Sequence, residues 1–379
     1  MSTFIFTNAR VVREQETLLG SLHVVDGVVS DISAQTDQDV PVLDLEGDWL
    51  LPGLVEMHTD NLEKHLVPRP GVIWPSALAA VLAHDAQLLA AGITTVFDSV
   101  SVGEFDVKSP RRQIFETTLT ALSTARAKNL LRIEHFLHLR CEVPDRRVVE
   151  MFENRVNDPS LRLVSFMDHT PGQRQWTDLD KYRLYHRDKQ WTDAELAENV
   201  AQRRDWQARH SAANRQRLLD SCRPLGLPLA SHDDTLPEHA EEGFNLGMGI
   251  SEFPTTMAAA ARAKELGLTV IMGAPNVVRG QSHSGNASAL DMAKAGLLDG
   301  LSSDYMPASL LHGAFTLRDK LGLPMHRAVG LVSGNIARAV GLDDRGRIEV
   351  GKRADLIRVR EVDGAPLVLG VWRQGQRML

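Results

Sequence analysis

The sequence predicts an α/β protein in which a (β/α)8 TIM-type barrel carries a small β-sandwich domain built from both ends of the chain. Two observations predict it. Between about residues 53 and 340, short apolar runs alternate with helical stretches, which is the rhythm of βαβ units and a parallel sheet. Short strand-like runs dominate both ends instead. The chain of 379 residues is long enough for a barrel and an accessory domain.

The terminal segments predict the small domain. The apolar run at residues 22–25 leads into Asp26-Gly27, and a second run follows at once, which is a hairpin signal. Three short strand patterns follow residue 346. We therefore predict that residues 1–52 and 341–379 form one β-sandwich and that residues 53–340 form a barrel inserted between them.

Eight apolar runs are candidates for the barrel strands. An open doubly wound sheet would use the same elements, and counting strands leaves that alternative open. The rhythm is broken near residues 181–217, a polar segment that we predict to be a helical excursion on the flank of the barrel. The strand candidates are residues 53–58, 94–98, 132–142, 161–168, 227–231, 248–252, 269–273 and 298–303.

Composition narrows the class of protein. The chain has 42 Lys and Arg against 49 Asp and Glu, a net charge of −7, so it lacks the basic field of a nucleic-acid binder. Two cysteines, Cys141 and Cys222, cannot build a disulfide framework. No apolar run is long and uncharged enough to span a membrane. We expect a cytoplasmic protein with neither nucleic acid nor membrane as a partner.

Polar side chains that can bind metal recur where the predicted strands end. Because the carboxyl ends of barrel strands converge on one mouth, these residues predict a shared metal site. His58 and Asp60 are two residues apart, so both point to the same face of a strand. Imidazole and carboxylate ligands suit Zn²⁺ best, with Mn²⁺ or Fe²⁺ as alternatives. The strand-end residues include His58, Asp60, His138, Glu142, Asp168, His169, His232, Glu252, Asn276 and Asp304.

Sequence motifs for several other chemistries are absent. The chain contains no phosphate-binding loop of the G-x-x-x-x-G-K-[ST] type and no G-x-G-x-x-G fingerprint after its first barrel strand. It also lacks a G-x-S-x-G nucleophile motif and any C-x-x-C pair. These absences argue against a nucleotide-binding fold of those kinds, a serine hydrolase and a zinc ribbon.

The strings LPGLVEMH at residues 51–58 and GRIEVGKRADL at residues 346–356 resemble the amidohydrolase superfamily. In this superfamily the first pair of metal ligands usually has the pattern His-x-His, whereas this chain has His58-Thr59-Asp60. A narrower resemblance is to the diphosphatases of the carbon–phosphorus lyase pathway. It implies a metal-dependent, cytoplasmic enzyme that releases pyrophosphate from α-D-ribose 1-methylphosphonate 5-triphosphate. The strings that carry it include EMHTDNLEKH (56–65), HLRCE (138–142), FMDHTPGQR (166–174), SHDDT (231–235), SEFPTT (251–256), MGAPNVVRG (272–280), SHSGN (282–286) and SSDY (302–305).

This resemblance implies a centre with two divalent ions, in which the first strand holds one ion and a bridging carboxylate contacts both. Asp304 is implied to be a ligand and also the catalytic base that orients the attacking water and takes its proton. His138 stays an alternative to Glu142, the implied bridge, and Asp168 an alternative to His169. The implied metal ligands are His58, Asp60, Glu142, His169, His232 and Asp304.

A phosphorylated ribose substrate carries several negative charges, so a protein of net charge −7 needs a local positive field to bind it. The alternative, an amidohydrolase for a cyclic amide or N-acyl substrate, gives no reason for a basic cluster. A non-catalytic barrel scaffold would be expected to lack the ligands. The resemblance also makes a homo-oligomer and a functional link to other proteins of the pathway plausible. The predicted substrate-binding residues are Lys64, Arg140, Arg174, Asn276, Arg279, Ser282, His283, Ser284 and Asn286.

Overall fold

Two β-sheets organise the protein. The computed structural model describes residues 3–33, 40–69, 71–103, 111–282 and 286–379. The strands in these ranges are β1 (Thr3–Val12), β2 (Thr17–Val25), β3 (Val28–Ser33), β4 (Val42–Asp44), β5 (Trp49–Pro52), β6 (Leu54–Thr59), β7 (Ile93–Val102), β8 (Glu134–Glu142), β9 (Leu161–Met167), β10 (Leu229–His232), β11 (Ile250–Glu252), β12 (Thr269–Gly273), β13 (Gly300–Ser302), β14 (Leu356–Val362), β15 (Ala365–Arg373) and β16 (Gln376–Arg377).

Helices follow most strands of the second sheet. Short 3-10 helices span Arg174–Trp176, Arg187–Lys189 and Arg223–Leu225. The α-helices of the described ranges are α1 (Asn61–Leu66), α2 (Ala77–Ala90), α3 (Arg111–Ala127), α4 (Val148–Glu153), α5 (Leu179–Tyr185), α6 (Asp193–Cys222), α7 (Pro237–Asn245), α8 (Met257–Glu265), α9 (Ala274–Arg279), α10 (Ala289–Lys294), α11 (Ser309–Leu321), α12 (Met325–Gly330) and α13 (Gly334–Ala339).

The second sheet is a closed barrel. Its eight strands, β6 to β13, pair in parallel and in strict chain order. The ring closes where Thr59 of β6 bridges to Asp304, just after β13. At this seam the backbone N–H of Asp304 donates to the carbonyl of His58 at 3.1 Å. Sequential order and closure confirm the predicted barrel, since a doubly wound sheet would reverse its strand order part-way across and would stay open.

An apolar cluster locks the barrel strands together. Val55, Phe97, Leu163 and Ile271 come from four different strands, and all are buried. They pack with Ile336 of α13 in the same cluster. Because such a core tolerates little movement, the carboxyl ends of the strands hold their side chains in fixed positions.

The first sheet joins the two ends of the chain. Its strand order is β16-β15-β14-β5-β1-β2-β3, with β4 paired to β1. Antiparallel pairing of β14 with β5 places Leu356 opposite Pro52. The hairpin between β2 and β3 turns at Asp26 and Gly27, both with positive φ (49° and 80°). A separate β unit built from both termini is therefore confirmed, while the boundaries at residues 52 and 341 stay a prediction.

Helices α5 and α6 occupy the segment predicted to be a helical excursion. Helix α6 is 30 residues long and begins with a capping box between Thr192 and Glu195. Its Asn214 donates two hydrogen bonds to the backbone just after β8, to the carbonyls of Val143 at 2.9 Å and Asp145 at 2.8 Å. The excursion is thereby fixed against the barrel rim. Among the described helices, none is both long and apolar enough to cross a membrane.

Candidate metal and phosphate site

A cavity of about 360 Å³ opens at the carboxyl ends of the barrel strands. Its size is in the range of small-molecule sites. Two predicted substrate-binding residues, His283 and Ser284, lie outside the described residues. The predicted site residues that the structure brings to the cavity wall are His58, Asp60, Arg140, Glu142, His169, His232, Asn276, Ser282, Asn286 and Asp304.

Glu252 fixes two of the cavity histidines. Its Oε1 lies 3.1 Å from Nδ1 of His58, and its Oε2 lies 3.2 Å from Nδ1 of His232. Complete burial opposes the charge of Glu252, but His58, His138 and the hydrogen bonds hold its pKa well below its usual range. A carboxylate here accepts both Nδ1–H groups, so each ring keeps its Nε2 as a metal ligand atom.

Glu142 fixes the position of a third cavity histidine, His169. Its Oε2 lies 2.6 Å from Nδ1 of His169, and its Oε1 accepts the backbone N–H of that residue at 2.7 Å. Burial lowers the pKa of His169, but Glu142 and Asp233 outweigh it and raise the value to about 9. His169 engages both oxygens of Glu142, which orients this histidine, and the role of Glu142 as a bridge between two ions stays a prediction.

Asp233 completes a ligand set; the sequence placed it among the polar residues at a strand end, but it was not among the predicted metal ligands. Its Oδ2 lies 3.6 Å from Nε2 of His169 and 3.7 Å from Nε2 of His232. These three side chains offer ligand atoms that lie within 4.8 Å of one another. The only signal in the sequence was that Asp233 follows His232 directly at the end of the fifth barrel strand.

Asp60 and Asp304 meet at the seam of the barrel. Oδ1 of Asp60 is buried and has no hydrogen-bond partner. Burial and the charge of Asp60 raise the pKa of Asp304 to about 7. An unpartnered carboxylate oxygen beside a second carboxylate is unfavourable in a buried place unless a cation joins them. The residues present therefore fit a divalent metal ion.

Strained backbone surrounds the same cavity. Asp233, Phe253 and Asp304 have φ values of 55°, 55° and 54°, in the left-handed region that residues other than glycine adopt rarely. Each follows a barrel strand closely, and each lines the cavity. Such conformations cost about 1 kcal/mol or more each, and they cluster at functional sites.

The alternative ligands left open by the sequence have other partners. Nδ1 of His138 lies 3.0 Å from Oγ of Ser99, and its Nε2 lies 2.9 Å from Oγ of Ser165. Asp168 accepts the backbone N–H of Thr170 at 3.0 Å and the side-chain amide of Gln207 at 3.1 Å. Neither His138 nor Asp168 lines the cavity. Both are side chains that brace the wall.

Arg140 is the predicted basic residue that reaches the cavity. It lines the wall beside the ligand set, and its buried Nε has no hydrogen-bond partner. No described carboxylate lies within ion-pair distance of it, although its positive charge acts to lower the pKa of Asp233 and of Asp304. Arg203, which the sequence reasoning missed, also lines the cavity, although it belongs to α6. No local pattern marked Arg203, because the excursion reaches the mouth only through its packing on the barrel.

The other predicted basic residues lie elsewhere. Arg174 is buried and donates to Oδ1 of Asp234 at 2.7 Å, so it braces the loop after β10 from outside the cavity. Arg279 is exposed at the end of α9. Lys64 donates to the carbonyl of Tyr305 at 2.7 Å. None of these three side chains lines the cavity, so the structure does not bring them to the ligand set.

Asn276 shapes the rim. Its Nδ2 donates to the carbonyl of Ala287 and its Oδ1 accepts the N–H of Ala289, both at 3.1 Å. These bonds fix the segment that presents Asn286 to the cavity. Asn276 thus uses its polar atoms to hold the loop.

Fold and site together define a hydrolase of the amidohydrolase class, and residues 194–376 match the amidohydrolase family. Three solved structures share the fold at low identity. Dihydropyrimidinase from Brevibacillus agri is 14% identical, with a TM-score of 0.64, and the match covers 100% of this chain and 95% of that one. 5-methylcytosine deaminase from Klebsiella pneumoniae is 16% identical, with a TM-score of 0.66, and the match covers 99% of this chain and 97% of that one. N-acetylglucosamine-6-phosphate deacetylase from Pasteurella multocida is 13% identical, with a TM-score of 0.64, and the match covers 99% of both chains.

A much nearer relative is the alpha-D-ribose 1-methylphosphonate 5-triphosphate diphosphatase of Escherichia coli (strain K12). The two sequences are 44% identical over 379 residues, which covers 99% of this chain and 100% of the relative. The chain therefore belongs to the amidohydrolase family and, within it, to the family of this diphosphatase.

Proposed function

We propose that the protein hydrolyses α-D-ribose 1-methylphosphonate 5-triphosphate to the 5-phosphate and pyrophosphate, a step of phosphonate breakdown. The observation that carries the proposal is the Arg140 guanidinium, which lines the same cavity as the metal-ligand set without an ion pair to any described carboxylate. An arginine placed in this way suits a phosphate oxygen. The name of the relative supports the same substrate.

Two divalent ions fit the ligand atoms at the cavity. We propose zinc first, with manganese or iron as alternatives, because the ligands are imidazole nitrogens and carboxylate oxygens. Divalent ions bound here would acidify a water molecule and neutralise negative charge on the phosphate oxygens. One ion would be held by His58, Asp60 and Asp304, and the other by His169, His232 and Asp233.

The protein's own side chains divide the remaining work. Arg140 holds the phosphate chain so that the α-phosphorus faces the ligand set. Asp304 orients the attacking water and accepts its proton, for which a carboxylate beside the reacting atoms is required. The water oxygen forms a bond to the α-phosphorus, the bond from that phosphorus to the bridging oxygen breaks, and pyrophosphate leaves. Arg203 also lines the cavity and would add positive charge near the leaving group.

Other functions are less well supported. Hydrolysis of a cyclic amide or an N-acyl compound would use the same ions but would offer Arg140 no anionic group of the substrate to bind. A scaffold without activity would have no reason to keep three histidines held by buried carboxylates. We also propose that the protein acts in the cytoplasm beside other enzymes of phosphonate breakdown. A homo-oligomer stays a prediction.

Pyrophosphate release tests the proposed function. Protein reconstituted with Zn²⁺ or with Mn²⁺ is given the ribosyl triphosphate, ATP and dihydrouracil in parallel reactions. We expect rapid release from the ribosyl compound, little from ATP and no ring opening of dihydrouracil. Equal cleavage of ATP would support the proposed type of reaction but contradict the proposed substrate. No release from either triphosphate by metal-loaded protein would overturn the function.

A further inference from the structure

A second polar cluster lies outside the cavity, between the barrel wall and α2. It contains Asp98 of β7, His135 of β8, and His84 and Asp85 of α2, and all four side chains are buried. Oδ1 of Asp98 is 2.9 Å from Nε2 of His84, and Oδ2 of Asp98 is 2.8 Å from Nδ1 of His135. Nε2 of His135 lies 3.4 Å from Oδ1 of Asp85. The cluster therefore forms one continuous chain of hydrogen bonds.

The partners fix where the protons of this chain lie. Both ring nitrogens of His135 face carboxylates, so both carry protons; burial lowers its pKa, but Asp98 and Asp85 raise it to about 9. His84 is different, because its Nδ1 lies 3.0 Å from Nδ2 of Asn61, and an amide nitrogen can only donate. His84 is therefore neutral, with its single proton on Nε2 and directed at Asp98.

Every ring nitrogen of this cluster has a hydrogen-bond partner, which distinguishes it from the ligand set of the cavity. Asp98 gives one oxygen to His84 and the other to His135. At the cavity, in contrast, Oδ1 of Asp60 has no partner. His84, Asp98 and His135 could place three atoms around an ion, but their ring nitrogens and both Asp98 oxygens already have hydrogen-bond partners, and the free Oδ2 of Asp85 lies 3.5 Å from Nε of Arg132. We therefore assign this cluster to hydrogen bonding and not to a third metal ion.

Asn61 connects this chain to the cavity. It follows Asp60 directly, opens α1 and is buried. Besides the bond to His84, its Nδ2 donates to Oε1 of Gln87 at 2.8 Å. The side chain of Asp60 makes no capping hydrogen bond, so its position depends on the backbone on either side. On one side the Asp60 N–H donates to the carbonyl of Asp304 at 3.2 Å; on the other side stands Asn61.

We propose that the contact between Asn61 and Nδ1 of His84, at the end of the buried chain that runs from His135 through Asp98, sets the orientation of Asp60 as a metal ligand. His84 and Asn61 are positioning residues, and they act through Asp60 without touching the ion. The inference rests on the proposed metal centre. It also gives a role to Asn61, which belongs to the EMHTDNLEKH string but takes no part in the cavity.

Two substitutions of His84 separate positioning from simple support of the fold. Asparagine places an oxygen near the position of Nδ1, so His84→Asn keeps an acceptor for Asn61 and loses the bond to Asp98. Glutamine places its terminal amide near the position of Nε2, so His84→Gln keeps the hydrogen bond to Asp98 and loses the acceptor for the Asn61 amide. Asn61→Ala removes the last link and leaves the buried ion pairs intact. The measurements are zinc affinity, by competition of the apo-protein with a chromophoric chelator, and thermal unfolding.

We expect His84→Gln and Asn61→Ala to weaken zinc binding about tenfold, at the low end of what the loss of outer partners costs. We expect His84→Asn to stay within about threefold of the wild-type affinity, although its Tm falls as much as that of His84→Gln. At saturating zinc, kcat should fall in the two weak binders while KM stays constant. A merely structural cluster would change Tm alone.

Three results would overturn the inference. Unchanged zinc affinity in both His84→Gln and Asn61→Ala would refute positioning and leave the metal centre intact. Equal weakening in His84→Asn and His84→Gln would reduce the cluster to general support. A third zinc equivalent, lost in His135→Gln, would show that the cluster is a metal site. A wild-type protein that binds no zinc would instead refute the metal centre of the proposed function.

Discussion

Oε1 of Glu252 lies 3.1 Å from Nδ1 of His58, although 194 residues separate them in the chain. The two residues end the first and the sixth strands of the barrel, so the contact spans the inside of the ring. Neither side chain is exposed to solvent. The contact makes the histidine tautomer at the cavity a property of the closed barrel and not of any local segment.

Replacement of Glu252 tests that dependence. Glu252→Gln keeps the shape, but its amide has one oxygen and cannot accept from both His58 and His232. We expect zinc affinity to fall by about 10-fold to 100-fold, the range for loss of an outer carboxylate. Asp168→Asn is a matched control, since Asp168 caps a turn outside the cavity. Equal zinc affinity in wild-type protein and Glu252→Gln would contradict the assignment.

Asp304 should be indispensable for turnover. Asp304→Asn removes a proposed metal ligand and the proposed acceptor of the water proton, so we expect pyrophosphate release to fall by about 10³-fold or more. Zinc content by elemental analysis separates the two losses: a variant that keeps both ions but not activity has lost the proton acceptor. Release at more than a tenth of the wild-type rate would rule out the role given to this residue.

Arg140 should recognise the phosphate chain. Arg140→Gln removes a charged donor from the cavity, and hydrogen bonds to charged groups contribute about 1.5–3 kcal/mol, so we expect kcat/KM to fall about 10-fold to 100-fold. The loss should appear mainly in KM, measured by pyrophosphate release. Arg174→Lys is the control, because Arg174 pairs with Asp234 outside the cavity; it should change stability and leave KM nearly constant. If KM rose only in the control, the assignment would be reversed.

The pKa of His135 predicts how stability depends on pH. Asp98 and Asp85 raise it to about 9 from an ordinary value of 6.5, so the folded state holds this proton more tightly than the unfolded state. The contribution of this proton to the free energy of unfolding is complete below pH 6.5 and disappears as pH rises through 9. A shift of this size corresponds to about 3 kcal/mol, counted once for the His135–Asp98 pair. Urea unfolding at several pH values should show this loss, and His135→Gln should remove its share of the slope.

Much of the framework could be predicted because it depends on spacing. The strand-end pattern pointed to His58 and Asp60, and both line the cavity, although Asp60 follows β6 as the N-cap of α1 and does not share a strand face with His58. Apolar runs located all eight barrel strands, each of which overlaps an observed strand. The Asp26-Gly27 turn was readable because few residue pairs suit two positive φ values. These features depend on near neighbours in the chain.

The parts that could not be predicted depend on distant partners. His138 and Glu142 share a strand face, yet Ser165 of the next strand engages His138, and the backbone of His169 engages Glu142. Arg174 follows a strand end like the others, but it pairs with Asp234. Periodicity tells which face a side chain takes and says nothing about the atoms that it meets there.

If Asp60 and Asp304 hold an ion as proposed, the seam between β6 and β13 couples metal binding to synthesis of the whole barrel. Asp60 and Asp304 closely follow the first and the last strands of the ring, and Oγ1 of Thr59 donates to the carbonyl of Asp304 at 2.6 Å across their junction. A chain still attached to the ribosome has made Asp60 long before Asp304. It therefore cannot assemble the first-strand site until the last strand has emerged. Ion capture at this position would mark a chain whose barrel is complete, and a chain terminated before Asp304 would leave the cell's metal pool untouched there.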